Sequence, residues 1–262
     1  MKRVNKSTNA PDQLIDYIGA HPVGTPEHDW YSFCTDTKRK KAVQTQLRSD
    51  QRGICVYCEI DLIEPSEQDI NNNLTADFRV EHFHPKSDDA CWHLEWTNLF
   101  ACCCGGDARN VVDANNRFTD SRANRSCDVP KKDNVWDDVI LAPCDIPAFP
   151  PLFLYKESEG DLEVNEDNCE FAGIEKRKVK NTIDKLHLNC KRLKDFRMST
   201  IDGVKDQIDI YFREFGDIGH ALKEVAAMLF NNQGDWPPFF TAIRSYLGQD
   251  AETYLQSINY NG

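Results

Sequence analysis

Cys55-Val-Tyr-Cys58 opens a stretch of chain that closes at Cys127-Asp128. Between these ends lie Glu81-His82-Phe-His84-Pro85-Lys86, Asn98-Leu99 and Cys102-Cys103-Cys104-Gly105-Gly106. A Cys-x-x-Cys turn offers two thiolates from one tight bend, and Zn(II) takes four such ligands in a tetrahedron. Cys55 and Cys58 make one half of that set. One side chain of the contiguous trio Cys102, Cys103 and Cys104 would point at the same ion, and Cys127 is the nearest thiol left to complete it. The residues between the two cysteine groups suit hydrolysis. A histidine titrates near working pH and can take a proton from water. Glu81 beside it offers oxygen to a hard divalent cation such as Mg(II). Hydrolysis of a phosphodiester needs both functions, a base for water and positive charge on the phosphate and leaving oxygen.

Secondary structure must bring these groups together. Ala76 to Phe83 alternates apolar and polar residues, which predicts a strand carrying Glu81 and His82. Neighbouring strand side chains face opposite ways, so these two converge only where the strand ends or bulges. Pro85 fits such an end. The first fifty residues read as mostly helical, up to Lys38–Arg48, and Gln51-Arg52-Gly53 fits a helix stop just before the first cysteine pair. Residues 105–126, rich in Gly, Asp, Asn and Arg, read as a long loop, of a length uncommon unless it is functional or tied down at both ends. Pro143, Pro147, Pro150 and Pro151 mark an extended connector. Phe153-Leu154-Tyr155 and Leu162-Glu163-Val164 read as a hairpin. From Gly173 the chain reads as helical, with Ile174, Val179, Ile183, Leu186 and Leu188 spaced for a buried face. Further helices are expected at 191–214, 217–231, 236–247 and 250–257. Trp236-Pro-Pro-Phe-Phe240 is apolar for a break between helices, suited either to the core or to a docking surface.

The chain has 262 residues, 40% of them hydrophobic, enough for one domain or two small ones. No window is apolar for long enough to cross a membrane, and no apolar run follows the basic Met1–Lys6 segment, so a cytoplasmic location is expected. Eleven cysteines, odd in number and clustered, favour metal ligation over a disulfide framework. Cys34, Cys91, Cys144, Cys169 and Cys190 read as plain thiols. A net charge of -12 argues against a protein that grips nucleic acid over its whole surface. It allows local basic groups, such as Arg109, Arg117, Arg122 and Arg125 in the long loop or the run Lys38–Lys41. It also hints that the chain does not work alone.

Taken in order, these motifs resemble the HNH (ββα-metal) endonucleases. The resemblance implies that His82 is the general base and that Glu81 and Asp128 hold a catalytic Mg(II) or Mn(II). It implies that Asn98 braces the loop between two strands and holds the base in place. Counted from Asn98-Leu99, the third zinc cysteine falls on Cys103 and the fourth on Cys127, completing a structural Zn(II) site with Cys55 and Cys58. Lys131 and Lys86 match basic residues near the phosphate, joined by Arg109 and Arg125 as nucleic-acid contacts. The chain departs from the family in placing Gly105–Ser126 between its last two zinc cysteines, and in having a carboxylate at Asp128 where relatives often have His or Asn.

Cys-x-Tyr-Cys-Glu, Val-Glu-His-Phe-x-Pro-Lys-Ser, Trp-x-Asn-Leu-Phe and Cys-x-Gly-Gly, with Thr182–Asn189, Leu193 and Arg197, look like the PtuB-type proteins of Septu defence systems and some retron operons. That likeness spans roughly residues 30–200. It implies an anti-phage nuclease, with DNA the favoured substrate, that assembles with an SMC/ABC-type ATPase subunit resembling PtuA. The expected fold class is α+β, a zinc-stapled ββα-metal core embedded in a mainly α-helical protein with a helical C-terminal region. The expected segments are a helical 1–53, a nuclease core 54–140, a connector with hairpin 141–172, and helices 173–262 with a possible docking face. A non-catalytic, zinc-stabilised adaptor is the competing reading. A zinc-ribbon reader of nucleic acid fits the acidic balance poorly.

Overall fold

The computed structural model describes residues 1–66, 68, 74–88, 90–231 and 233–262. Three helices precede the cysteine knuckle: α1 (Asp12–Ala20), α2 (Trp30–Phe33) and α3 (Thr37–Asp50). The helix read from Lys38–Arg48 is therefore slightly longer at both ends. Asp29 and Asp36 cap α2 and α3, each carboxylate accepting backbone N–H groups of the first turn. Helix α3 ends where Gln51 turns inward. Its amide nitrogen donates to the carbonyls of Ile54 (3.0 Å) and Ala101 (2.8 Å), and its oxygen accepts the Ala101 N–H at 2.7 Å. One buried side chain thus joins α3, the start of the knuckle and the second strand of the hairpin.

That hairpin pairs β1 (Phe78–His82) with β2 (Leu99–Cys103) in antiparallel register, Glu81 opposite Phe100 and His82 opposite Leu99. Strand β1 is shorter than the alternation over 76–83 suggests, and His82 is its last residue. Lys6 donates to the carbonyls of Trp96 and, at 2.6 Å, Leu99, fastening the N-terminal segment across the entry to β2. The stretch 105–126 is mostly loop, as expected, with a short helix α4 (Ala114–Arg117) and one 3-10 turn (Arg122–Asn124). Helix α5 (Asp128–Lys131) follows Cys127 directly.

The second hairpin pairs β3 (Phe153–Lys156) with β4 (Asp161–Val164). Then come α6 (Glu166–Phe171), α7 (Lys176–Lys185), α8 (Lys191–Phe215), α9 (Ile218–Leu229), α10 (Phe240–Leu247) and α11 (Gln249–Ser257). Val179, Ile183, Leu186 and Leu188 are buried, as their spacing predicted, while Ile174 packs at the edge of the core. Helix α10 begins later than expected because Pro237 and Pro238 lack N–H groups and Phe239 sits at φ +56°. The Trp236–Phe240 run is core: Trp236 and Phe240 are buried against each other and Tyr260. Arg197 of α8 is also buried, donating to the carbonyls of Gly160 and Leu188 and to the Asn189 side chain.

Residues of the N-terminal helices, both hairpins and the C-terminal helices share one hydrophobic cluster. The knuckle is tied to the C-terminal helices by Glu59, whose carboxylate accepts from the Thr241 hydroxyl (2.6 Å) and N–H (2.8 Å). Among the described residues no helix is long and apolar enough to cross a membrane. Gln51→Ala would leave the Ala101 N–H and two carbonyls without their partners. It is expected to lower unfolding free energy by about 2–3 kcal/mol, read by urea denaturation, against near-neutral Gln46→Ala on the same helix.

Candidate functional site

Cys55, Cys58, Cys103 and Cys127 bring their sulfur atoms within 4.8 Å of one another, and all four are buried. The knuckle is a turn in which Cys55 N–H donates to Ile60 O (2.8 Å) and Glu59 N–H to Cys55 O (3.1 Å). Val56 N–H reaches Ala101 O at 3.1 Å, which sets the turn against β2. A ZnS4 tetrahedron with Zn–S of about 2.3 Å has sulfur–sulfur edges of about 3.8 Å. The Sγ atoms lie 3.6 Å (Cys58–Cys103), 3.7 Å (Cys103–Cys127) and 4.0 Å (Cys55–Cys127) apart. The donor set therefore fits zinc in both chemistry and size. Hydrogen bonds from Cys102, Cys127, Cys55 and Cys58 pull the Cys103 thiol well below the ordinary range, the direction metal ligation needs. Geometry also chooses among the trio. Cys102 comes within 4.0 Å of Cys55 only, and burial pushes the Cys104 thiol up to about 12.

The insertion between Cys103 and Cys127 closes on itself. Ser126 N–H donates to Gly105 O at 3.0 Å, so both ends of the loop meet. Gly105 sits at φ +60°, where a Cβ would lie 2.3 Å from the Ser126 carbonyl oxygen. Cys127 itself is held from below by its N–H to Leu186 O (2.9 Å) at the end of α7. Distance in sequence thus costs the four-thiol cluster nothing in geometry.

Residues i and i+2 of a strand share a face, so Arg79 and Glu81 look towards α5. Arg79 forms a two-point ion pair with Asp128, at 2.6 and 2.9 Å. Glu81 Oε1 accepts from the Tyr57 hydroxyl (3.1 Å) and from Lys131 Nζ (3.0 Å). Lys131 also donates to the His82 carbonyl at 3.0 Å. Burial pushes the Asp128 carboxyl up to about 7 against the pull of Arg79, and the Glu81 charge adds to the rise. Burial raises Glu81 as well, opposed by Lys131. Buried Glu81 and largely covered Asp128 thus lie on one face, each with a cation beside it.

His82 has different surroundings. Its ring meets the Trp30 indole edge to face, centroids 5.0 Å apart, and Nε2 lies 3.1 Å from the His93 carbonyl oxygen. A carbonyl only accepts, so Nε2 carries the proton and Nδ1 is left with the lone pair. Burial first, then the Lys86 charge, pushes His82 down to about 3. It is therefore a neutral imidazole at neutral pH. Asn98 spans the turn beyond β1: its oxygen accepts His84 N–H (2.6 Å), and its amide donates to His84 O (3.0 Å) and Trp92 O (3.1 Å). Both ends of the β1–β2 connection are thereby pinned, and with them the His93 carbonyl.

The structure thus gathers Glu81, Asp128 and Lys131 on one face, and His82, Asn98 and Lys86 around the end of β1. Lys131 is buried beside Glu81, so its ammonium positions a carboxylate. Arg109 lies exposed, paired with Asp120. Arg125 is half-buried, its carbonyl near the His187 ring. Arg117 is committed to Asp77 and Asp61 at 2.5 and 2.8 Å and braces the loop. His84 lies beyond the strand, its Nδ1 2.7 Å from Asp137. Sequence reasoning missed Arg79, Tyr57 and Trp30. Only Arg79 left a signal, being two residues from Glu81 on an alternating strand. Cys103→Ser is expected to lose zinc and several kcal/mol of stability, a fraction of the roughly 10–16 kcal/mol with which structural zinc sites bind. Cys104→Ser should keep both, as elemental analysis and thermal melting would read.

No family model matches the chain. Over 273 residues it is 31% identical to the protein of Escherichia coli named Retron Ec83 putative HNH endonuclease, an alignment covering 95% of each. A likeness spanning nearly the whole of both chains includes the cysteine cluster, the hairpin and the C-terminal helices alike, and on it the chain belongs to the HNH endonuclease family.

Proposed function

We propose that this chain is a metal-dependent HNH endonuclease that hydrolyses phosphodiester bonds of nucleic acid, with DNA favoured. The observation that carries this reading is the setting of His82: a neutral ring whose Nε2 is anchored to the His93 carbonyl, leaving Nδ1 as a proton acceptor. In this reading Nδ1 takes a proton from the water that attacks phosphorus, and the bond to the leaving oxygen breaks. Trp30 and Asn98 keep the ring and its carbonyl partner in place. Glu81 and Asp128 would hold Mg(II) or Mn(II), which supplies positive charge at the phosphate and the leaving oxygen. Arg79 and Lys131 keep both carboxylates oriented and partly neutralised. The β1–β2 hairpin and α5 would form the ββα-metal core of residues 54–140, stapled by zinc on the four cysteines.

We further propose that the nuclease is the effector of an anti-phage system of the Septu kind and acts with an SMC/ABC-type ATPase subunit. The retron named in its relative and the net charge of -12 support this, since an acidic nuclease gains from a partner that captures nucleic acid. Ile210, Phe215 and Ile218, exposed around the turn from α8 to α9, support placing the docking face in the C-terminal helices.

The test is Mg(II)- or Mn(II)-dependent cleavage of plasmid DNA and of structured RNA, with and without the co-encoded ATPase. His82→Ala is expected to retain its zinc and lose roughly 10²- to 10⁴-fold in cleavage rate, the usual worth of a general base. Cutting by that variant at the wild-type rate would refute the assignment and favour the adaptor reading.

A further inference from the structure

We propose that Tyr31 and Trp92, each next in sequence to a residue that holds His82, are base-stacking platforms, and that the site takes unpaired nucleotides of a single strand. This rests on the nuclease reading and adds the form of the substrate. The two rings are placed by the residues that hold His82. Trp30, whose indole meets the His82 ring, is followed by Tyr31, 70% exposed. His93, whose carbonyl takes Nε2, is preceded by Trp92, 47% exposed. Trp30 is buried, as a core aromatic should be, whereas its neighbour and Trp92 both present large rings to solvent beside the proposed base.

Both platforms are fixed through their backbones. The Asp29 carboxylate accepts the Tyr31 N–H at 2.7 Å, and Asn98 donates to Trp92 O at 3.1 Å. Their faces have suitable neighbours for a nucleic-acid strand. Lys86 Nζ lies 4.5 Å from the Tyr31 ring centroid, where a cation could meet the phosphate next to a stacked base. The His84 ring lies 4.6 Å from that of Trp92. A duplex keeps its base faces stacked inside and is gripped through phosphates by many cations. With a net charge of -12 this chain lacks a general basic surface, and stacking on exposed rings holds a single strand of any sequence with few cations.

The full-length protein carrying His82→Ala, which removes the proposed base, would be titrated against fluorescein-labelled single strands of about twelve nucleotides, as DNA and as RNA, and against the matching DNA duplex. Fluorescence anisotropy reads binding. Single strands are expected to bind more tightly than the duplex. Adding Tyr31→Leu or Trp92→Leu should weaken single-strand binding roughly 5- to 150-fold, the worth of one stacked base, without changing duplex binding or zinc content. Tyr31→Phe and Trp92→Phe should restore it, because they keep a ring. Equal or tighter duplex binding, Leu variants that bind like their parent, Phe variants that fail to rescue, or a parent that binds no oligonucleotide would each overturn the proposal. Cleavage by the wild type against His82→Ala tests the nuclease assignment separately, so the two can fail independently.

Discussion

Four buried cysteine sulfurs, all within 4.8 Å of one another, are the constraint around which the rest of the chain is arranged. Without a cation, thiols in such a cluster either stay protonated or repel as thiolates. Tetrahedral coordination removes that conflict. Its geometric effect reaches every part of the site. Cys55 and Cys58 fix the knuckle that carries Tyr57, Cys103 fixes the end of β2, and Cys127 fixes the start of α5. The hydroxyl of Tyr57 and the ammonium of Lys131 then converge on Glu81, while Asp128 meets Arg79. The four-thiol centre thereby sets the positions of both carboxylates.

Those carboxylates are costly to bury, and pairing offsets the cost. Arg79 lies on the same strand face as Glu81 and meets Asp128 through an ion pair at 2.6 Å and a 2.9 Å hydrogen bond from its terminal nitrogen. Lys131 sits a turn beyond Asp128 on α5 and reaches back to Glu81, so strand and helix exchange one cation each. The pairing holds α5 against β1 over only four helical residues, too few to be stable as an isolated helix.

Much of this was legible in the sequence, and the gaps have physical causes. The knuckle, the β1 strand, the second hairpin and the C-terminal helices were readable because each has a local signal: fixed spacing, period-2 alternation, turn residues or helical spacing. The four-cysteine set, Cys103 included, was readable through family order, and of three adjacent thiols that differ only in direction it is Cys103 that joins the cluster. The closing of the 105–126 loop by Ser126 and Gly105 is a long-range backbone contact without any periodic trace. Helix α4 went unread because four residues, Ala114–Arg117, are too short for a period to show. Trp236–Phe240 could not be divided between core and surface by composition, because both environments favour the same residues; the partners that decided it, Tyr260 and Arg52, are distant in sequence.

A two-stranded hairpin has two faces and an end, and this one uses all three. Strand alternation sends Glu81 towards α5. His82 falls at the last position of β1, where the chain turns and the ladder stops, so its ring is fixed by what surrounds the end: Trp30 from the N-terminal helices and the His93 carbonyl from the β1–β2 connection. The two side chains have separate partners, Tyr57 and Lys131 for Glu81 and Trp30 and the His93 carbonyl for His82, and one residue links them. Lys131 grips the Glu81 side chain and the His82 backbone at once, both at 3.0 Å. A side chain that bonds to the carbonyl of one residue and the carboxylate of the one before it registers the two against a common point, whichever way their side chains diverge. The relative placement of Glu81 and His82 therefore rests in part on one buried ammonium, and a lysine that the family resemblance offers to the phosphate is instead withdrawn from solvent.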